Sequence, residues 1–195
     1  VAKIAARGDR KKILLHSCCA PCTIYPLRRL REGGMEVVGF FYNPNIHPFT
    51  EFEKRLNAVV EYYGEVEVPL IVNAEYDVSD FLKKTFCADV KRCEACYRMR
   101  LSKAFEAAGG GDVEVDAVTS TLLFSKYQDH EVLIRIAGEE SARSGIPFHY
   151  EDYREGWEEG RRLCRESGMY SQKYCGCIIS EQERYGKRIK ALKGD

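Results

Sequence analysis

Nine cysteines stand in this chain of 195 residues, and they are unevenly placed. Cys18, Cys19 and Cys22 fall in the segment His16-Ser17-Cys18-Cys19-Ala20-Pro21-Cys22. Cys93 and Cys96 form a CxxC, and Cys175 and Cys177 flank Gly176. Adjacent Cys18 and Cys19 do not both fit a disulfide framework, and an odd cysteine count argues against full pairing. Metal binding is the stronger explanation. Seven grouped thiols exceed what one tetrahedral ion takes, so more than one metal is expected. All-thiolate donors suit zinc, copper(I) and iron–sulfur clusters. A four-iron cluster uses four cysteines and leaves three for a second site; two zinc ions sharing the thiolates are the alternative. Cys87 and Cys164 fall outside these spacings, and Cys164 shares an amphipathic pattern with Trp157 and Arg161 that fits a packed, inert thiol.

Local chemistry supports the grouping. Pro21 suits the first turn of a helix, and the partial positive charge of a helix N-terminus favours thiolate over thiol. Alone, the Cys93/Cys96 pair reads equally as a redox dithiol, a zinc half-site or an iron–sulfur half-site. Gly176 permits the tight backbone on which Cys175 and Cys177 converge. Tyr127, Asp129 and His130 follow a strand end, where Asp129 either caps the next helix or serves as proton donor or ligand. His16 and His47 fit hydrogen-bonded structural roles or acid–base work. Asn43 to Pro48 reads as a rigid loop over the site.

The elements that must position these groups alternate between strand and helix. Ile13-Leu14-Leu15 reads as a short buried strand, followed by a helix through Pro26 to Arg31, closed by Gly33 and Gly34, and a strand over Glu36 to Tyr42. Thr50 and Glu53 form a capping-box signature, with Phe52, Leu56, Val59, Val60 and Tyr63 on one inward face. Further strands are expected at Val68–Val72, Asp116–Thr121 and Phe148–Tyr150. Helices are expected over Glu94–Ala108, ending at Gly109 to Gly111, and from Asp129 to Gly145, with Val132, Leu133, Ile136 and Ala137 inward. From Tyr153 the chain reads as helical and polar, with a second capping box at Ser180 and Glu183. The pattern predicts an α/β fold, a parallel sheet flanked by helices with a helical C-terminal part. Residues 1–195 read as one α/β domain, in which residues 153–195 form an extension completing the metal site. Ligands of such sheets bind beyond the carboxyl ends of the strands.

Thirty basic and thirty acidic residues cancel, which gives no global pull toward nucleic acid. Basic residues nonetheless cluster at Arg7–Lys12, at Arg28, Arg29 and Arg31, at Lys91–Lys103 and at Lys187–Lys193, and two of these clusters flank cysteine motifs. No stretch approaches the ~20 apolar residues of a membrane span, and the charged N-terminus does not read as a signal peptide. A cytoplasmic protein without membrane contact is expected.

Taken together, LLHSCCAPC (14–22), FYNPNIHP (41–48), RCEACYRMRL (92–101), TSTLLFSKYQDH (119–130) and YSQKYCGCIIS (170–180) resemble the cobalamin-independent epoxyqueuosine reductase family. The resemblance spans nearly the whole chain. It implies an oxidoreductase of tRNA queuosine biosynthesis that reduces the epoxide of epoxyqueuosine at the tRNA wobble position, on a fold like that of HUP and PP-loop domains. It also implies a four-iron, four-sulfur cluster, a second mononuclear iron, a tRNA with a queuosine-type anticodon as partner, and an electron donor that the sequence does not identify. Taking paired motifs to share one metal, Cys18, Cys19, Cys93 and Cys96 are assigned to the cluster and Cys22, Cys175 and Cys177 to the second iron. Tyr127, Asp129 and His130 are assigned to catalysis, and Arg98, Arg100 and Lys103 to tRNA. Ser171 stands where an arginine is commoner in the family's last motif, so a substrate contact there is not carried over. A PP-loop-like tRNA-modifying enzyme, a zinc-stabilised nucleic-acid-binding module and a dithiol oxidoreductase using Cys93 and Cys96 are the rival readings. The first needs phosphate-binding glycines, and the loop after the first strand has none.

Overall fold

A strand buried on both faces must be apolar at consecutive positions, and Ile13, Leu14 and Leu15 are each fully buried in β1 (Lys12–His16). The computed structural model describes residues 10–111 and 113–192, so Arg7 and Lys193 of the terminal basic clusters lie outside the described residues. From β1 the chain runs through α1 (Ala20–Glu32), β2 (Glu36–Phe41), α2 (Phe49–Glu65) and β3 (Leu70–Val72). It then passes α3 (Val78–Phe86) and α4 (Arg92–Gly109) before returning to β4 (Ala117–Ser120) on the far side of β1. The four strands are all parallel, in the order β3-β2-β1-β4. Because the chain leaves β1 in one direction and comes back on the other, the loops after β1 and β4 part from each other. That is the switch point at which open parallel sheets bind ligands.

Helices cover both faces of the sheet. Leu27 and Leu30 of α1 and Phe52, Val59 and Tyr63 of α2 pack with Ile13, Leu15 and Phe41. Ala104 and Phe105 of α4 pack with Leu14, Phe40 and Val118 on the opposite face. α5 (His130–Ser144) lies along α4, with Leu133, Ile136 and Ala137 against Tyr97 and Leu101. Close approach needs glycine at Gly39 in β2, where a Cβ would sit 2.3 Å from the Tyr63 ring. That ring in turn brings the Tyr63 hydroxyl within 2.7 Å of Ser17 Oγ, beside the first cysteines. After a 3-10 turn at Tyr153–Gly156, α6 (Trp157–Glu166) packs on α1, and α7 (Ile178–Leu192) follows with no buried residue of its own.

Several expectations are corrected. α1 begins at Ala20 rather than Pro26, with Pro21 in its first turn, so Cys22 is a helical residue. Neither capping box forms. α2 starts at Phe49 with Pro48 in the cap position, and Ser180 lies inside α7, where its hydroxyl donates to Cys177 O at 2.6 Å. Val60 is exposed, and the buried place on α2 goes to Arg55. The last strand reduces to a single parallel bridge between Val118 and Phe148. α3, capped by Asp77 through the Asp80 N–H, carries no periodicity strong enough to have been expected.

Candidate metal centre

The loop leaving β1 and the first turn of α1 present Cys18, Cys19 and Cys22 at the mouth of the switch point, and their three Sγ atoms lie within 4.8 Å of one another. Cys18 Sγ and Cys19 Sγ are 3.7 Å apart. The Cys18 N–H donates to Thr121 Oγ1 at 2.9 Å, which ties the loop after β1 to the segment after β4. Hydrogen bonds from Cys19 and Cys22 pull the Cys18 thiol well below its ordinary range, against burial and with help from the Arg100 charge. The same bonds push Cys22 well above its ordinary range, and burial pushes Cys19 up. Three sulfurs this close together make a soft donor set. Such a donor set releases protons when a soft metal binds.

The second group comes from two helix starts. Cys93 and Cys96 occupy the first turn of α4, where Arg92 donates to Cys93 Sγ at 3.7 Å and to Glu183 of α7 at 3.1 Å. Burial pushes the Cys96 thiol up to about 12, with Arg100 opposing and Cys175, Cys177 and Cys93 adding to the rise. Cys175 and Cys177 precede α7 on either side of Gly176, whose φ of 155° and close neighbour Asn45 (2.6 Å from a built Cβ) exclude a side chain. The His47 N–H donates to Gly176 O at 2.9 Å, so the Asn43–Pro48 loop lies against the CxC turn as expected. Arg55 secures the turn from below. It donates to Cys175 O at 2.7 Å and Tyr174 O at 3.0 Å, and its Nε pairs with Glu51 at 2.7 Å.

Arg100 joins the motifs electrostatically. Its guanidinium is 2% exposed and donates to Asn43 Oδ1 at 2.7 Å, while Asn43 donates to Ser17 O at 2.9 Å. Burial works against its charge, but the neighbouring sulfurs of Cys96, Cys18 and Cys175 outweigh that and raise its affinity for the proton. One buried cation therefore senses a cysteine from each of the three motifs. Two glutamines complete the lining: Gln172 Nε2 lies 2.8 Å from Cys19 Sγ, and Gln128 Nε2 lies 3.4 Å from Cys175 Sγ. The donor set is all thiol, unpaired by disulfides and gathered round a fixed positive charge, which fits thiolate-bound metal.

The other expected groups scatter. Asp129 caps α5 by accepting from the Val132 N–H at 3.2 Å, and its own N–H donates to Tyr97 Oη. Tyr127 is 80% exposed. His130 Nε2 meets Tyr150 Oη at 3.2 Å, and burial followed by Arg154 lowers its pKa. His16 is a structural group: Nδ1 meets Ser120 Oγ and Nε2 meets Tyr42 O. Burial, then Arg100, depress its pKa to about 3. His47 is buried against the edges of Phe81 and Tyr76. Arg98 is engaged by Glu139 and Glu140 of α5, Lys103 stands over the Tyr42 ring, and Arg100 points inward, so the three share no surface. Cys164 is buried beside Met169 O, while Cys87 is exposed just past α3. Sequence reasoning missed Arg55, Gln128 and Gln172. Arg55 had a signal: it interrupts the apolar face between Phe52 and Val59 at helical spacing.

The chain is 36% identical over 176 residues to the epoxyqueuosine reductase QueH of Dehalococcoides mccartyi, covering 90% of this chain and 96% of the relative. It is 34% identical over 190 residues to the protein of that name from Thermotoga maritima, covering 91% and 94%. The Haemophilus influenzae protein of that name is 31% identical over 187 residues, covering 91% of this chain and 75% of the relative. The family model described as epoxyqueuosine reductase QueH matches residues 13–183, from β1 through the CxC turn into α7, and on that match the chain belongs to the epoxyqueuosine reductase QueH family.

Proposed function

We propose that this chain reduces epoxyqueuosine to queuosine at the wobble position of tRNA, in the cytoplasm, with electrons from a separate donor. The observation that carries the reading is the meeting of three cysteine motifs around buried Arg100 at the sheet's switch point, in a member of this family. The reaction removes one oxygen: the epoxide takes up two electrons and two protons, leaving an alkene and water. Cys18, Cys19, Cys93 and Cys96 would hold a four-iron cluster and Cys22, Cys175 and Cys177 a second iron, which would supply single-electron transfer and Lewis acidity.

The protein's own groups do the rest. Arg100 offsets the negative charge of the thiolates and fixes Asn43 under the loop after β1. Gln172 and Gln128 direct N–H groups at Cys19 and Cys175, which favours their thiolate forms. Asp129 follows Gln128 directly and is the group we assign to proton delivery, its capping oxygen being Oδ1. His130 is held by Tyr150 and is left out of proton transfer. Arg98 and Lys103, each on a separate face, are the residues we assign to tRNA phosphates, whereas Arg100 serves the cysteines. The helical part from residue 153 completes the site by supplying Gln172, Cys175 and Cys177.

The proximity of Cys22 to Cys18 and Cys19 favours a second partition, with those three on the single iron and Cys93, Cys96, Cys175 and Cys177 on the cluster. Anaerobic iron and sulfide counts on Cys175→Ser separate the two. Under the first partition the variant loses about one iron and keeps about four sulfides; under the second the sulfide is lost with the cluster. A colourless wild-type protein containing zinc and no sulfide would refute both and leave a zinc-stabilised module.

A further inference from the structure

We propose that Tyr127, braced by Trp157 and flanked by Lys126 and Arg161, is a stacking platform for a splayed nucleobase of the RNA loop that enters the cysteine site. The inference rests on the tRNA reading above and names where the RNA is gripped. Tyr127 is 80% exposed, yet its backbone is pinned on both sides. Its N–H donates to Ser125 Oγ at 3.2 Å, Gln128 reaches Cys175 Sγ at 3.4 Å, and the Asp129 N–H donates to Tyr97 Oη at 3.2 Å. A ring held stiffly in water loses little conformational freedom when something stacks on it.

The ring is also joined to the site by packing. Trp157 meets Tyr127 edge-on at 5.6 Å, and lies 5.2 Å from the Phe124 ring. Phe124 in turn belongs to the buried group that contains Cys19 and Cys22. The platform is therefore the outer end of a run of aromatic contacts whose inner member, Phe124, packs in the same buried cluster as Cys19 and Cys22. Charge identifies the occupant. Arg161 stands over Trp157 at 5.9 Å, and among the described residues Arg161, Arg165 and Lys126 pair with no carboxylate. The nearby acids are mostly occupied: Glu155 accepts from Tyr25, Glu159 pairs with Arg28, Asp152 with Arg154 and Glu166 with Arg162. Glu158 is the one acid of α6 left without a cation. An exposed aromatic face with unpaired cations beside it suits a base and its phosphate, because unpaired bases stack on Tyr and Trp rings while cations take the backbone.

Binding of an anticodon stem–loop RNA carrying 2-aminopurine beside the wobble position tests this with intact, metal-loaded protein. Tyr127→Ala is expected to weaken binding at least about fivefold, the low end for losing a base-stacking aromatic. It should also abolish the quenching of 2-aminopurine fluorescence seen with wild type. Tyr127→Phe keeps the ring and should bind within about twofold of wild type. The salt slope should be the same for all three proteins, since no phosphate contact is removed. Equal iron and sulfide contents show that the site itself is intact. Unchanged affinity or unchanged quenching in Tyr127→Ala overturns the platform, as does a Tyr127→Phe variant as weak as Tyr127→Ala. Those results leave the tRNA reading standing; a wild-type protein that binds neither stem–loop nor full tRNA overturns both.

Discussion

Replacing Arg55 by methionine keeps the buried stem and removes the two bonds that hold the CxC turn. The guanidinium donates to Cys175 O and Tyr174 O, and Nε pairs with Glu51, whose side chain is 11% exposed. Hydrogen bonds to a charged donor contribute about 1.5–3 kcal/mol each. The freed carbonyls sit beside exposed Lys173 and Cys175 and regain water, so the low end applies. Two bonds then sum to about 3 kcal/mol, roughly a 150-fold shift in the turn's docking equilibrium. Two amides report that equilibrium: His47 N–H, bonded to Gly176 O, and Gly176 N–H, bonded to Ser180 Oγ. Hydrogen exchange at both should quicken by about two orders of magnitude in Arg55→Met, while amides of β1 exchange as in wild type. Iron retained per chain after anaerobic purification should fall in parallel. Wild-type protection at His47 and Gly176 in a folded Arg55→Met protein would refute the clamp, and so would full metal retention.

Two further predictions concern groups with a structural and a chemical claim on them. Asp129→Asn keeps a competent helix cap, so stability should stay within about 0.5 kcal/mol while epoxide reduction falls about a hundredfold, the scale of a lost general acid; full turnover would leave Asp129 as a cap alone. His16 has a pKa depressed to about 3 against an ordinary 6.5, so the unfolded chain takes up this proton first. Stability is therefore complete above about pH 6.5 and lost as pH falls toward 3, by roughly 4–5 kcal/mol in all. Urea midpoints between pH 6 and 4 should fall more steeply for wild type than for His16→Gln, by about 1.4 kcal/mol per pH unit; parallel curves would refute the assignment.

Much of the sheet was legible because parallel strands write their burial as unbroken apolar runs, as Ile13 to Leu15 do. The start of α1 was half legible: Pro21 suited a first helical turn, but the cysteine segment also reads as a turn ahead of Pro26, which in fact sits within a helix that begins at Ala20. The same spacing that suggested a basic stripe on α4 argued against it. Residues two apart on a helix point about 200° away from each other, so Arg98 and Arg100 could not serve one surface. The structure turns Arg98 toward α5 and buries Arg100 among the thiols. Gln128, Gln172 and the partners of Arg55 were illegible for another reason. Their contacts join residues 47, 153 and 120 positions apart, and an amide or a carbonyl carries no mark of a sulfur or guanidinium so distant.

The position of Arg100 follows from the topology as much as from its charge. Thiols gathered at the end of a sheet are shielded from water, and burial is the largest cause that drives Cys96 toward its neutral form. A surface arginine would be screened and could not oppose this. A buried one can, provided that its own desolvation is offset, and here Cys96, Cys18 and Cys175 together do so. Each of these cysteines comes from a different part of the fold, the loop after β1, the start of α4 and the turn before α7, so the cation is stable when all three motifs have arrived. The charge that keeps the thiols ready for metal is thus itself retained by the thiols, and the site closes as a unit rather than one ligand at a time.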